Sequence, residues 1–308
     1  MKQCLSLPNT VQINSFTKQV MCGMFDPMYK TVANEGAKLH VWSQGQGPLL
    51  ILIPPGGGDG ARFTKVISNL SNHYTVATYD RRGNGKSTVS REEILNPSES
   101  ARDVVAIIKD LGFSKASLYG PSSGGLIALT LAALYPQLVD HVILHEVPTF
   151  CLLTKEPIDR LDATFAVYRI YLQSGPEAAL EAFRETVAGR PIAGPPPSSE
   201  VNVRRNAEVE PHRLDYFFKN EFLVLSIFTP NFEEIKTGRV SVATVEGSAS
   251  GDMFYAKAAR AQAAVLGCPH FVWDGGHEPF QTNPEQFVAD IERTLSKLDA
   301  TKAIPGSW

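Results

Sequence analysis

The chain has 308 residues, 43% of them hydrophobic and 20% charged, with a formal net charge of −3 at pH 7. That length can bury a substantial core and suits one large α/β unit carrying an insertion. The charges are mixed along the chain, so no basic patch invites nucleic acid or an anionic membrane, and no apolar stretch is long enough to span a bilayer.

In chain order, residues 1–28 show little periodicity and read as an extended N-terminal arm, without the continuous apolar run of a secretory signal. The four cysteines, Cys4, Cys22, Cys151 and Cys268, have neither pairing nor metal spacing, so reduced thiols and a cytoplasmic setting are expected. A strand–turn–strand follows over 29–43, closed by the breaker run Gln44-Gly45-Gln46-Gly47-Pro48. Leu49-Leu50-Ile51-Leu52-Ile53 and Thr75-Val76-Ala77-Thr78-Tyr79 are apolar runs expected of strands covered on both faces, with a helix over 61–70 between them. Val104, Ile107, Ile108 and Leu111 form one face of a helix over 98–111. A strand over 116–119, a turn of small residues and a helix over 125–135 come next, then a strand within 138–146. This alternation predicts a mostly parallel sheet flanked by helices, an α/β fold built from residues 29–150 and 239–308. Residues 151–238 break the pattern. They are helical, rich in large apolar side chains, split by a Pro-rich stretch over 191–197, and read as an inserted cap over the C-terminal strand ends, where open α/β sheets bind ligands. Strands resume at 240–245 and 270–273, and a last helix over 284–298 presents Phe287, Ile291, Leu295 and Leu298.

The chemistry centres on Gly120-Pro121-Ser122-Ser123-Gly124, a G-x-S-x-G between a predicted strand and a predicted helix. That context makes a nucleophile elbow, in which a sharp turn exposes the serine at the sheet edge. Ser122 has a glycine two residues to either side and is the nucleophile candidate, while Ser123 would offer its backbone N–H to a developing oxyanion. A serine hydroxyl needs a base, and the base an orienting acid. Of seven histidines, His277 in the loop Asp274-Gly275-Gly276-His277-Glu278 after the last strand is the best placed, with His145 the rival. Two carboxylates satisfy the order serine, acid, histidine: Glu146, fixed before Val147-Pro148 at a strand end, and Asp252, after a Gly/Ser-rich loop. A second oxyanion donor is expected from Gly56, or Gly57, in Pro54-Pro55-Gly56-Gly57-Gly58-Asp59-Gly60. That run lacks the lysine and the register of a nucleotide-binding loop.

Taken together, Ile53-Pro54-Pro55-Gly56-Gly57-Gly58, then Tyr79-Asp80-Arg81-Arg82-Gly83-Asn84-Gly85-Lys86-Ser87, then the elbow, then Gly275-Gly276-His277 resemble the α/β-hydrolases. The resemblance covers residues 35–150 and 238–298, implies the α/β-hydrolase fold, and makes 80–87 a structural turn beside the pocket. A narrower resemblance is carried by Leu144-His145-Glu146-Val147-Pro148, which is similar to the His-Glu-x-Pro segment of a subgroup including zearalenone-type lactone hydrolases. It implies that Glu146, 24 residues after Ser122, is the acid. Asp252 stands two places past the position typical of the wider superfamily, where Ser250 falls.

The expectation is a serine hydrolase with Ser122, His277 and Glu146 as its triad and Gly56 and Ser123 as oxyanion donors. It would cleave an ester, lactone or thioester of a mid-sized apolar substrate through an acyl-enzyme, with no metal or organic cofactor. An alternative uses the same triad for acyl transfer or macrolactone formation in polyketide processing. A third reading, ranked last, is a non-catalytic small-molecule receptor. A homodimer is compatible with the sequence.

Overall fold

The computed structural model describes residues 27–153, 157–187 and 211–302. Among these residues the chain forms one nine-stranded sheet. Strands β1 (Met28–Asn34) and β2 (Ala37–Gln44) make an antiparallel hairpin, and β2 pairs antiparallel with β4 (Thr75–Tyr79). From there the sheet is parallel, in the order β4, β3 (Leu49–Leu52), β6 (Ala116–Pro121), β7 (Val139–His145), β8 (Ser241–Gly247) and β9 (His270–Trp273). The two-residue β5 (Thr88–Val89) pairs with β2 and was not foreseen.

Strand pleating divides the core into two layers. Along 49–53, Leu49, Ile51 and Ile53 enter one apolar cluster and Leu50 and Leu52 the other, all at most 2% exposed. This is the period-two alternation of a strand buried on both faces, which reads in sequence as an unbroken apolar run. One layer is covered by α2 (Pro97–Asp110) and α3 (Ser123–Leu134), the other by α1 (Thr64–Leu70) and by α11 (Pro284–Lys302), which follows the short α10 (Pro279–Thr282). Helix α2 starts one residue before the expected 98: Asn96 accepts hydrogen bonds from the Ser98 and Glu99 N–H groups, and Pro97 takes the first helical position. On α11 the stripe Phe287, Ile291, Leu295 and Leu298 is buried as its spacing predicts.

The stretch after β7 is helical where described: α4 (Pro157–Ser174), α5 (Pro176–Val187), α6 (Pro211–Tyr216), a π-helical turn (Phe217–Glu221), α7 (Phe222–Ile227) and α8 (Phe232–Thr237). Val167, Ile170, Phe217, Phe218, Phe222 and Leu225 from these helices merge with the α2/α3 layer of the core. Phe165 and Leu172 of α4 instead face outward, at 47% and 65% exposure. The expected Pro-rich stretch lies outside the described residues, as does all but the last two residues of the expected arm, with Cys4 and Cys22. Cys151 and Cys268 are free thiols. Helix α9 (Phe254–Leu266), between β8 and β9, was not anticipated. Its Ala-rich sequence has no strong apolar stripe to mark it. Among the described residues no helix is long and apolar enough to cross a membrane.

Candidate active site

Ser122 sits between β6 and α3 with φ 49° and ψ −130°, a left-handed conformation that a side chain rarely adopts. The surrounding contacts hold it there. The Ser122 N–H donates to the His145 carbonyl at 2.9 Å, so the β6/β7 ladder continues into the turn. The turn is so close to its neighbours that only glycine fits at Gly124, where a Cβ would stand 2.4 Å from the Ile53 carbonyl oxygen and 2.9 Å from that of Pro54. The strand, strained serine and helix thus form the elbow that the motif predicts.

Glu146 occupies the matching place one strand over, immediately after β7, and shares the same backbone peculiarity with φ 50°. Its N–H donates to the Val245 carbonyl at 3.0 Å, and its carboxylate is fully buried. One carboxylate oxygen, Oε1, accepts the Gly247 N–H at 2.8 Å, and the other, Oε2, lies 2.7 Å from His277 Nδ1. Burial alone would disfavour the charged carboxylate, but the His277 hydrogen bond, with smaller contributions from His145 and Ser250, outweighs it, so the Glu146 carboxyl is held below its ordinary range. An ionised carboxylate can only accept, so Nδ1 carries the hydrogen and donates it. That leaves Nε2 as the ring nitrogen turned away from Glu146, the one a general base would use.

His277 reaches this position because the loops after β8 and β9 interlock. The Ala249 N–H donates to the Gly275 carbonyl at 2.8 Å, and the Ser248 N–H to the Trp273 carbonyl at 2.8 Å. The imidazole packs on Tyr255 of α9, ring centroids 4.4 Å apart. Gln262, also on α9 and fully buried, donates to the Val147 carbonyl at 2.7 Å and to the Thr149 hydroxyl at 2.8 Å, bracing the segment that follows Glu146. Neither residue was picked out in advance, because the helix that carries them gave no signal.

The glycine-rich loop after β3 lies against the elbow. The Gly58 N–H donates to the Pro55 carbonyl at 3.0 Å, closing a turn whose third residue, Gly57, has φ 83°, the conformation that a type II turn reserves for glycine. A Cβ at Gly56 would sit 3.8 Å from Ser123 Oγ and 3.4 Å from Phe217 Cε2, so Gly56 is between the start of α3 and the π-helical turn. Ser123 is the first residue of α3, where backbone N–H groups lack intrahelical partners. Arg62 ties the loop to the histidine loop, donating to the Gly56 carbonyl at 3.4 Å and pairing with Glu278.

Two sequence candidates lie elsewhere. The Asp252 side chain is 90% exposed and faces Arg260 at 3.6 Å, so the structure does not bring it to His277. His145 is wholly buried, among Tyr119 and Trp273, with its Nδ1 2.9 Å from the Tyr119 hydroxyl. Strand parity explains the difference: Ile143 lies on the α1/α11 layer, and His145, two residues on, shares that face. Burial pushes the His145 pKa down to about 4. No group of three or more His, Cys, Asp or Glu side chains among the described residues is arranged to hold a metal ion.

A parallel sheet with a strained serine between strand and helix is the arrangement of the α/β-hydrolase fold, and the family described as alpha/beta hydrolase fold matches residues 48–186. The chain has the α/β-hydrolase fold and is similar to that family over the matched residues. It is 26% identical to the uncharacterized hydrolase YraK of Bacillus subtilis over 282 residues, covering 87% of this chain and 96% of that protein. It is 32% identical to the zearalenone hydrolase of Cladophialophora bantiana over 122 residues, a segment covering 38% of this chain and 46% of that protein. Among solved structures, the carboxylesterase CesB from Bacillus subtilis superposes with a TM-score of 0.62 at 17% identity, covering 91% of this chain and 95% of that one.

Proposed function

We propose that the protein is a serine hydrolase that cleaves an ester or lactone of a mid-sized apolar substrate through an acyl-enzyme. The observation that carries the proposal is the 2.7 Å contact between His277 Nδ1 and Glu146 Oε2, set at the C-terminal strand ends beside the Ser122 elbow. In the proposed mechanism Ser122 Oγ attacks the carbonyl carbon while His277 Nε2 takes its proton. Glu146 holds the imidazole by Nδ1 and offsets the imidazolium charge. The Gly56 and Ser123 N–H groups receive the oxyanion. His277 then protonates the leaving alkoxide, and water, deprotonated by the same nitrogen, releases the acid. Residues 151–238 act as a cap whose apolar helices shape the acyl pocket. The hydrolase and zearalenone hydrolase relatives support the reaction class and the ester or lactone substrate. The free thiols Cys151 and Cys268 fit a cytoplasmic setting.

The test is the nucleophile. Ser122→Ala should fold as the parent does and lose p-nitrophenyl ester turnover by about a thousandfold or more. A fluorophosphonate should label Ser122 and no other serine, with the site read by peptide mass spectrometry. Labelling elsewhere, or turnover near the parental rate in the variant, rejects the mechanism.

A further inference from the structure

A charge pair is buried where the helical segment after β7 meets the core, outside the proposed triad. Arg81 and Glu221 have side chains only 2% and 1% exposed, with Arg81 Nη2 donating to Glu221 Oε2 at 2.7 Å. Asn84 Nδ2 donates to the other oxygen, Oε1, at 2.8 Å. Both oxygens of one carboxylate are therefore gripped by the turn after β4. Burial favours the neutral form of Glu221 and raises its pKa, while Arg81 and Asn84 act in the opposite direction. Arg81 Nε and Nη1 have no partner among the described residues. A pair taken so far from water is an expensive way to gain stability, and an apolar replacement of the same volume often serves as well or better.

The position of the pair shows what it holds. The Arg81 backbone N–H donates to the Gly58 carbonyl at 2.9 Å, and Gly58 closes the turn that contains Gly56. One residue thus grips the glycine-rich loop with its main chain and Glu221 with its side chain. Glu221 is the last residue of the π-helical turn, and Phe217 is the first. A π turn inserts an extra residue into a helix, changes which side chains face inward, and recurs at functional sites. Here it directs Glu221 to Arg81 while Phe217 lies against Gly56. Two further contacts pin the same turn: the Leu95 N–H donates to the Asn220 carbonyl at 2.8 Å, and Tyr216 covers Gly83, where a Cβ would stand 2.2 Å from its Cζ.

We propose that Arg81, Glu221 and Asn84 form a strut that fixes Phe217 against the Gly56 turn and so sets which acyl groups the site accepts. The selectivity half of this proposal rests on Gly56 belonging to the oxyanion loop, and the positional half does not. Phe217 is the side chain that meets the acyl group, and Arg81 and Glu221 are positioning residues acting through it.

The experiment compares the parent with Glu221→Gln, the double variant Arg81→Met/Glu221→Met, Phe217→Ala and the triple combination. Thermal midpoints are measured first. Glu221→Gln should be the less stable, because it leaves Arg81 buried without its counter-charge, and the double variant should recover much of the loss. Crystal structures of the parent and double variant then report Phe217, and p-nitrophenyl esters from acetate to decanoate report selectivity as kcat/KM. The strut predicts a displaced Phe217 and a change of about fivefold or more in the octanoate-to-acetate ratio, with Phe217→Ala adding nothing further to the double variant. A folded double variant with Phe217 unmoved, or with a parental ester profile, overturns the strut. If Phe217 moves while Ser122→Ala keeps its turnover, the positional proposal stands and the Ser122 mechanism falls.

Discussion

Replacing Glu146 by Gln is the most searching perturbation of the proposed mechanism, and its size follows from hydrogen-bond geometry. The Glu146 carboxylate accepts from two donors, His277 Nδ1 at 2.7 Å and the Gly247 N–H at 2.8 Å. A carboxamide of the same shape has one acceptor oxygen. If that oxygen serves Gly247, the amide NH2 faces Nδ1, and the imidazole can pair with it only by moving its own hydrogen to Nε2. The nitrogen that should take the serine proton is then already protonated. If the amide flips, it restores the tautomer but leaves the buried Gly247 N–H against another donor, at a cost of about 1–3 kcal/mol. In both states the imidazolium formed during reaction loses its counter-charge. The expected loss in kcat is on the order of a hundred- to ten-thousandfold, a barrier increase of about 3–5 kcal/mol. Asp252→Asn is the control: that side chain is 90% exposed and pairs only loosely with Arg260, so it should cost less than about tenfold. Steady-state hydrolysis of a p-nitrophenyl ester by both variants, each checked for a parental melting profile, decides the matter. An Asp252→Asn defect larger than that of Glu146→Gln would refute the reasoning.

Gly124→Ala should destabilise the fold by about 1–3 kcal/mol, since the new methyl group meets the Ile53 and Pro54 carbonyls and neither is a flexible side chain that can swing aside. Urea unfolding midpoints at equal m-values measure it, and an unchanged midpoint would show that the elbow is looser than its contacts imply. His145 should make stability acid-sensitive. Its pKa falls from 6.5 in an exposed setting to about 4 on burial, so the unfolded chain binds the proton more tightly. Its contribution is intact above about pH 6.5 and is lost as pH falls towards 4, up to ~3 kcal/mol in all. His145→Asn, which retains a polar atom for Tyr119, should flatten this part of the melting-temperature profile, and a profile as steep as the parent's would remove His145 from the account.

Much of the scaffold was legible because it rests on local rules. The unbroken apolar runs at 49–53 and 75–79 are what a strand buried on both faces needs. The apolar face of Val104, Ile107 and Ile108 marks α2, and the Phe287, Ile291, Leu295, Leu298 stripe marks the inner face of α11. Helix α9 was not legible, since its alanines carry no periodic contrast, and with it went Tyr255 and Gln262. The π-helical turn was hidden for a different reason: it is selected by Glu221 finding Arg81, a partner 140 residues away.

By itself the sequence determined that a serine stands on a sharp turn between a strand and a helix, because glycine at positions 120 and 124 is a local steric demand that few other folds would make. It also confined the partners of Ser122 to a short roster of histidines and carboxylates. The tertiary structure shows which of them it brings together, His277 and Glu146. Glu146 and His145 are adjacent in the chain, yet one ends its strand facing the loops and the other is turned by strand parity into an aromatic core. Asp252 follows the same strand that supplies Gly247, yet it points to solvent, while Gly247 donates to Glu146 across 101 residues. A hydrogen bond depends on distances of a few tenths of an ångström between groups far apart in sequence, and those distances exist only once the sheet is paired, its loops are interlocked and water has been excluded around the carboxylate.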